Sequence, residues 1–366
     1  MPDFTTTLNR KRVFLTGHTG FKGSWLALWL NRLGAEVYGY SLPPPTEPSN
    51  FVLSRVEPLL AGHTLADIRN AKALDTAIRD AEPDVILHLA AQPLVRLSYD
   101  SPRETFDVNV IGTAALLDAV RAIKKPCAVI VVTSDKCYEN REQVWGCRES
   151  DPMGGFDPYS ASKGAVELVA ASYRRSFFPP ARLAEHGVRL ATARAGNVIG
   201  GGDWAKDRIV TDMVAALVAG KPVPVRNPHA VRPWQHVLEP LSGYLTLAAA
   251  MLADNDPRWC DGWNFGPLPG GDGTVGGLAD EFVAAWGSGS WLDASQPGQP
   301  HEAAVLRLCI DKACNELGWL PRWGRRETVA RTARWYRSVL LEKADARTEC
   351  MADIEHYSQT HSKRVV

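Results

Sequence analysis

Val13-Phe14-Leu15-Thr16-Gly17-His18-Thr19-Gly20-Phe21-Lys22-Gly23 is the stretch that decides the fold. An apolar run stops at Gly17, and the glycines then fall as G-x-x-G-x-x-G. Trp25, Leu26, Trp29, Leu30 and Leu33 follow at helical spacing until Gly34 ends the pattern. The order is strand, tight loop, helix. A loop without side chains lets the backbone turn sharply and approach a pyrophosphate, and the helix N-terminus behind it offers free N–H groups and partial positive charge. Gly17, His18, Gly20, Phe21, Lys22 and Gly23 are therefore candidates for binding a dinucleotide cofactor. Lys22 either adds positive charge near the phosphates or is a solvated first-turn lysine.

Working outward, Val37-Tyr38-Gly39-Tyr40 reads as a second strand, broken off by Pro43-Pro44-Pro45. Asp84 to Leu89, Ala128 to Thr133 and Val188 to Arg194 read as further strands. Thr105 to Ile123 and Tyr159 to Phe178 read as helices. Nearly all-apolar strands alternating with helices predict an α/β fold, a Rossmann-type doubly wound parallel sheet covered on both faces. Beyond Gly200 the pattern changes. Gly200-Gly201-Gly202-Asp203-Trp204 is a loop, and helices are expected near 207–219, 238–253, 275–286 and 325–341. Strand material between them is short, as in Trp263-Asn264-Phe265. The expected organisation is a nucleotide-binding domain over 1–200, a smaller substrate-binding α/β domain over 201–343 interleaved with it, and a polar C-terminal tail or interface arm over 344–366.

The 366 residues are 45% hydrophobic and 22% charged with a formal net charge of zero, an ordinary globular composition. No basic stripe stands out, which argues against nucleic-acid binding. No apolar run reaches the ~18 residues of a membrane span. Met1-Pro2-Asp3-Phe4-Thr5 lacks the basic and apolar regions of a secretory signal. The seven cysteines are an odd number without a Cys-x-x-Cys pair, as expected of reduced thiols in cytoplasm.

Dinucleotide folds usually place an acid after the second strand to hold the adenosine ribose. Val37 to Leu42 has none. Ser41 can bond a ribose hydroxyl there, and no arginine is present to favour a 2′-phosphate, so NAD is expected rather than NADP. Asp67-Ile68, after Thr64-Leu65-Ala66, can hold adenine at the sheet edge; plain solvation is the alternative for Asp67.

The chemistry-bearing residues come next. Thr133-Ser134-Asp135-Lys136 ends an apolar strand, and Tyr159 and Lys163 lie one helical turn apart on one face. A phenol with a pKa of about 10 is mostly protonated at neutral pH. The Lys163 ammonium would favour phenolate, making Tyr159 a base that takes a hydroxyl proton during hydride transfer. An extra acid and an extra amine at 135 and 136 suggest more than oxidation, because they can supply the proton transfers that expel water.

These segments resemble the extended short-chain dehydrogenase/reductase family over nearly the whole chain. The matches are Thr16-Gly-x-x-Gly-Phe21, Asp67-Ile68, His88-Leu89-Ala90-Ala91-Gln92, Asn109-Val110, Thr133-Ser134-Asp135-Lys136, Tyr159-x-x-x-Lys163 and Arg194-Ala-Gly-Asn197. Gly17 to Trp25, Ser134 to Tyr138, Gly200 to Trp204 and Arg232-Pro-Trp-Gln-His-Val237 point to the branch that dehydrates CDP-D-glucose. Members acting on dTDP-glucose carry Asp-Glu where this chain has Asp135-Lys136. The resemblance implies bound NAD, contacted also by Leu89, Ala90, Ala91, Gln92, Asn109, Thr133, Tyr159 and Lys163. It implies a nucleotide-sugar substrate, CDP-D-glucose, and a homodimer or homotetramer built through helices packed side by side. Ser134 would bond the sugar hydroxyl. Carried over, Asp135 is the acid that protonates the departing C6 hydroxyl. Lys136 is the base at C5, or a cation that stabilises the enolate. Asn197, Arg208 and Arg232 are the candidates for the substrate pyrophosphate, with a structural salt bridge as the alternative for Arg208. Trp204 either stacks near the base or sugar or belongs to the core, and Trp234 and His236 may be read as substrate contacts or as packing. The implied reaction is net loss of water, on a route to deoxysugars of cell-surface polysaccharide.

Overall fold

A computed structural model describes residues 3–123, 125–296 and 303–360. Seven strands form one parallel sheet: β1 (Arg12–Thr16), β2 (Glu36–Ser41), β3 (Gly62–Leu65), β4 (Val85–His88), β5 (Cys127–Val132), β6 (Val188–Ala195) and β7 (Gly262–Phe265). Their spatial order is β7-β6-β5-β4-β1-β2-β3. The order reverses at β1, which pairs with β2 on one side and β4 on the other. That switch point opens a crevice at the carboxyl ends of the strands, where open α/β sheets bind ligands.

Alternation along each strand builds two cores. Val13, Leu15, Val85, Leu87, Ala128 and Ile130 point to one face, where α1 (Phe21–Arg32) and α6 (Leu238–Ala253) cover them. Phe14, Ile86, Val129 and Val131 point to the other, against α2 (Ala71–Ala81), α3 (Gly112–Val120) and α4 (Pro158–Ser176). Over the crevice lie α5 (Ile209–Val218), α7 (Val275–Trp286), α8 (Arg325–Leu340) and three two-stranded pairs.

The sheet is the expected doubly wound one, and the helix bounds near 238–253 and 275–286 match closely. The chain returns to the first layer after residue 200, because α6 packs on the sheet and β7 pairs with β6. Edge strand β3 has no apolar run to announce it. The stretch expected as one helix from Thr105 contains a π-helical turn, Asp107–Ile111, between Pro102–Phe106 and α3.

The expected polar tail is corrected. Ala346–Gln359 is a helix, α9, and Ala346, Cys350, Ile354 and Tyr357 are buried in the main core. They recur about every fourth residue, so one apolar stripe suffices to dock a helix that is otherwise charged. Tyr357 packs edge-on against Trp29 of α1 and donates to the buried Glu239 carboxylate at 2.7 Å. Residues 361–366, the end of that expected tail, lie outside the described residues. Among the described residues no helix is long and apolar enough to cross a membrane. All seven cysteines are free thiols.

Candidate active site

The loop after β1 is shaped by its glycines. Gly17 has φ +74°, and a Cβ there would lie 2.8 Å from Ala90 N. A Cβ on Gly23 would fall 2.1 Å from Gly17 O, so α1 can begin this close to the loop only with glycine. At Gly20 a Cβ would meet only Gly17 O, at 3.4 Å, so the backbone is open toward the crevice. Below the loop, Thr16 Oγ1 accepts from Leu89 N and Ala90 N, each at 3.1 Å, and bonds His88 Nδ1 at 2.7 Å. Burial pushes His88 down to about 3, so its ring is a neutral strut rather than a charge.

A single cavity of about 1530 Å³ runs from this loop to the second half of the chain. Ordinary ligand pockets span roughly 300–1,000 Å³, so there is room for a dinucleotide and a second nucleotide together. Gly17, Gly20, Phe21, Lys22, Gly23, Ser41, Asp67, Ile68, Leu89, Ala90 and Ala91 line one arm. Thr133, Ser134, Lys136, Tyr159 and Lys163 line the centre, and Asn197, Trp204, Arg208 and Arg232 the other arm. A glycine-lined helix N-terminus opening into this cavity fits a dinucleotide pyrophosphate.

Four residues expected at the ligands face elsewhere. His18 is fully buried, wedged against Phe51 and His63 with ring centroids 5.5 and 4.9 Å away, and does not line the cavity. His236 is also core. Its ring lies 4.8 Å from Trp323 and 5.8 Å from Trp25, and Nδ1 accepts from Leu238 N. Asn109, carried on the π-helical turn, accepts from Gln92 N at 2.8 Å and donates to Ser162 Oγ at 2.8 Å and Gln92 O at 3.1 Å. Gln92 spends its side chain on Thr105 and Leu94 N. These two staple the wall behind the cavity to α4. The side chains of all four are spent on protein partners rather than on the cavity.

Ser41, at the end of β2, bonds Thr19 Oγ1 at 2.8 Å, a cavity residue that motif reading passed over. Asp67 is held by Arg69 at 2.6 Å, which keeps its carboxyl below the usual range. Trp204 lines the cavity while packing edge-on against Tyr336, with centroids 5.3 Å apart. Arg208 bridges Asp203 at 2.7 Å from within the cavity wall, the salt-bridge alternative made real. Arg232 donates to Val231 O at 2.9 Å and Ala304 O at 3.4 Å. Asn197 has a buried Oδ1 without a partner among the described residues, facing a cavity where a ligand donor would satisfy it.

At the centre, Ser134 Oγ donates to Asp135 Oδ1 at 2.9 Å, and Lys136 Nζ donates to the same oxygen at 3.2 Å. Asp135 is buried one layer behind the cavity lining, correcting its placement as a direct wall residue. Its Oδ2 is buried and unbonded among the described residues. Leaving such an acceptor unpaired costs about 1–3 kcal/mol, which a substrate hydroxyl or an added proton would relieve. Burial pushes the Tyr159 phenol up to about 12, against a hydrogen bond with Ser134 that favours phenolate. Lys163 Nζ donates to Val132 O at 3.3 Å, and burial lowers its amine to about 8. The groups that lower the phenol are Ser134 and Arg208 rather than the expected Lys163, and desolvation outweighs them in the protein alone. Lys22 is lowered to about 7, by burial first and then by Arg208 and Lys163. Lys22, Lys136, Lys163 and Arg208 gather beside Asp135 and Asp203, a cluster of basic groups suited to ligands carrying several phosphate charges.

A glycine-lined strand–loop–helix beside a Ser134, Tyr159 and Lys163 cluster defines an extended short-chain dehydrogenase/reductase. The chain belongs to the GDP-mannose 4,6 dehydratase family, whose model matches residues 14–257. It is 51% identical over 329 residues to a CDP-glucose 4,6-dehydratase of Salmonella typhimurium, covering 90% of this chain and 91% of that one. It is 32% identical to a dTDP-glucose 4,6-dehydratase of Streptomyces antibioticus, covering 74% of this chain and 75% of that one. Among solved structures, the dTDP-glucose 4,6-dehydratase of Streptomyces venezuelae with NAD and TYD bound shares the fold. The TM-score is 0.73 at 24% identity, covering 89% of this chain and 97% of that one.

Proposed function

We propose that this protein is an NAD-dependent CDP-D-glucose 4,6-dehydratase, a hydro-lyase that turns CDP-D-glucose into CDP-4-dehydro-6-deoxy-D-glucose and water. The observation that carries the reading is the meeting of Tyr159 and Lys163 with Ser134 and Lys136 at one cavity, where Ser134 and Lys136 both bond Asp135 just behind the wall. The 51% identity to a CDP-glucose enzyme supports the choice of nucleotide. The glycine loop, with Ser41 and Asp67 along the same arm, would hold NAD, which would supply a reversible hydride acceptor so that no net oxidation results.

Tyr159 takes the C4 hydroxyl proton, with Ser134 orienting that hydroxyl. Ser134 also bonds Asp135, so it joins the oxidising pair to the eliminating pair. Asp135 and Lys136 rest as an ion pair, a form in which neither is the acid or the base required. A proton shift from Lys136 Nζ to Asp135 would make both active at once. Lys136 then takes the C5 proton and Asp135 gives its proton to the leaving C6 hydroxyl, which restores the ion pair as water departs. Lys136 returns a proton to C5 at the end, and the proton held by Tyr159 makes good the one lost in water.

Arg232 and the Asn197 amide N–H would hold the CDP pyrophosphate, with Arg208 adding positive charge from its salt bridge to Asp203. A panel of CDP-, dTDP-, GDP- and UDP-sugars, assayed for alkali-sensitive 4-keto product, tests the reading. Product from CDP-D-glucose alone is expected, and preference for another base would overturn the choice of nucleotide. The enzyme would work in the cytoplasm, where its free thiols stay reduced. It would do so as a homodimer. Exposed Leu97, Tyr99, Phe106, Ile111 and Leu168 lie on the adjoining 95–111 segment and α4, a side-by-side helix face. Sedimentation velocity should give at least twice the chain mass; a monomer at micromolar concentration contradicts it.

A further inference from the structure

The segment that distinguishes a dehydratase from a simple oxidoreductase, Ser134 to Cys137, is a short 3₁₀ turn after its Ser134 cap rather than part of a strand or long helix. Within it Cys137 N donates to Ser134 O at 3.2 Å and Lys136 N to Ser134 Oγ at 3.3 Å, and Cys137 O accepts from Gly154 N at 2.8 Å. Its flanks add side-chain ties. The residues on either side, Thr133 and Tyr138, are both tied to one buried ion pair. Glu167 and Arg194 meet through two parallel bonds, Nε to Oε1 at 2.9 Å and Nη2 to Oε2 at 2.8 Å. Thr133 Oγ1 donates to Glu167 Oε1 at 2.5 Å, and Thr192 Oγ1 to Oε2 at 2.6 Å. The other Arg194 nitrogen, Nη1, donates to Tyr138 Oη at 2.6 Å and to Glu149 O at 3.1 Å. Tyr138 in turn donates to Asn264 Oδ1 at 2.7 Å.

Both charged side chains are about 95% buried, yet each is saturated with hydrogen bonds. Breaking one half of such a pair leaves an uncompensated charge, so its geometry is stiff. Space is reserved for it, because a Cβ on Gly262 would fall 2.5 Å from Arg194 Nη2. Glu167 also stands on α4 one turn beyond Lys163 and two beyond Tyr159. The same helix therefore carries the oxidising pair and anchors the eliminating segment.

We propose that the Glu167–Arg194 pair is a positioning clamp that holds both ends of Ser134 to Cys137, so that Asp135 and Lys136 are in register with the sugar for elimination. Oxidation at C4 depends on Tyr159 and Lys163, whose backbone α4 sets, and draws on the clamped segment only through Ser134 at its near end, whereas elimination uses Asp135 and Lys136 within it. Loosening it should therefore separate the two halves of the reaction. This rests on the dehydratase reading.

The test uses the full chain with NAD and CDP-D-glucose. Tyr138→Phe frees the C-terminal end of the segment while keeping the ring, and Glu167→Gln weakens both ends. In a single turnover, absorbance of the reduced nicotinamide reports oxidation and 4-keto-6-deoxy product reports completion. In Tyr138→Phe the oxidation rate is expected to stay within about twofold of the parent, while the step from oxidised sugar to product slows about 10- to 100-fold, as misplacement of catalytic groups does; Glu167→Gln, which also removes a negative charge that acts on Lys163, should slow elimination more than oxidation. Amide hydrogen exchange of 134–138 in the NAD-free protein should rise in step. Tyr138→Phe keeps the ion pair intact, so the clamp stays testable should Glu167→Gln fail to fold. Equal slowing of both steps, or unchanged elimination in a folded Tyr138→Phe variant, overturns the clamp. Absence of both signals in the parent protein would instead overturn the dehydratase reading beneath it.

Discussion

Replacing Tyr159 by phenylalanine should lower turnover of CDP-D-glucose by about 10²- to 10⁴-fold, the range for losing a positioned acid–base group. NAD binding should be nearly unchanged. The ring stays, so the cavity wall and the packing of α4 are retained; only the phenol proton site is lost. Tyr159 is buried and stands at the cavity centre, where its phenol is bonded to Ser134. Burial raises it to about 12, so the phenolate form must be drawn out by positive charge when the site fills. Activity should accordingly rise toward alkaline pH in the parent enzyme, since a base with a raised pKa is increasingly ready as pH climbs toward it. Steady-state kinetics with a parallel NAD titration by fluorescence check this. Undiminished turnover removes Tyr159 from its role, and loss of NAD binding makes it a cofactor-holding residue instead.

Lys136→Met should have an effect of similar size on product formation with a different signature. Methionine keeps the length and apolar stem but carries neither proton nor charge. Asp135 Oδ1 would lose the donor now 3.2 Å away and keep only Ser134. C4 oxidation should proceed, because Tyr159 and Lys163 are untouched. Elimination should then stall, so reduced nicotinamide accumulates on the enzyme while product falls about 10²- to 10⁴-fold. Should oxidation stop while a supplied 4-keto sugar is still dehydrated, Lys136 is neither the base nor the enolate-stabilising cation.

Much of this was legible in the sequence, and the exceptions have physical causes. The glycine loop was readable because Gly17 and Gly23 sit where a Cβ would collide, so chemistry and sterics coincide in the residue type. Strands β4, β5 and β6 were readable because a sheet covered on both faces needs continuous apolar runs. Edge strand β3 is only half-buried and had no such run. Helix α9 escaped because Ala346, Cys350, Ile354 and Tyr357 are its whole apolar face, diluted by charges. His18, His236, Gln92 and Asn109 lie in the right segments, but motif spacing fixes the backbone and says nothing of which way a ring or amide turns. Those four turn inward because apolar walls or backbone partners await them. Glu167 and Arg194 are 27 residues apart on a helix and a strand, and their pairing exists only once β6 lies beside β5. Nothing local in the sequence marks it. The Asp135–Lys136 contact could be entertained from adjacency but not fixed by it; side chains of neighbouring residues often diverge, and here a 3₁₀ turn brings them together.

The most direct test follows an isotope from one carbon to another. CDP-D-glucose carrying deuterium at C4 is incubated with the enzyme and its NAD, and the product is examined by NMR and mass spectrometry. The account predicts that the label moves to the C6 methyl group of the same sugar, with C5 taking its hydrogen from a protein group or solvent. Deuterium returned to C4, or a methyl group that carries none of it, would contradict dehydration at this site.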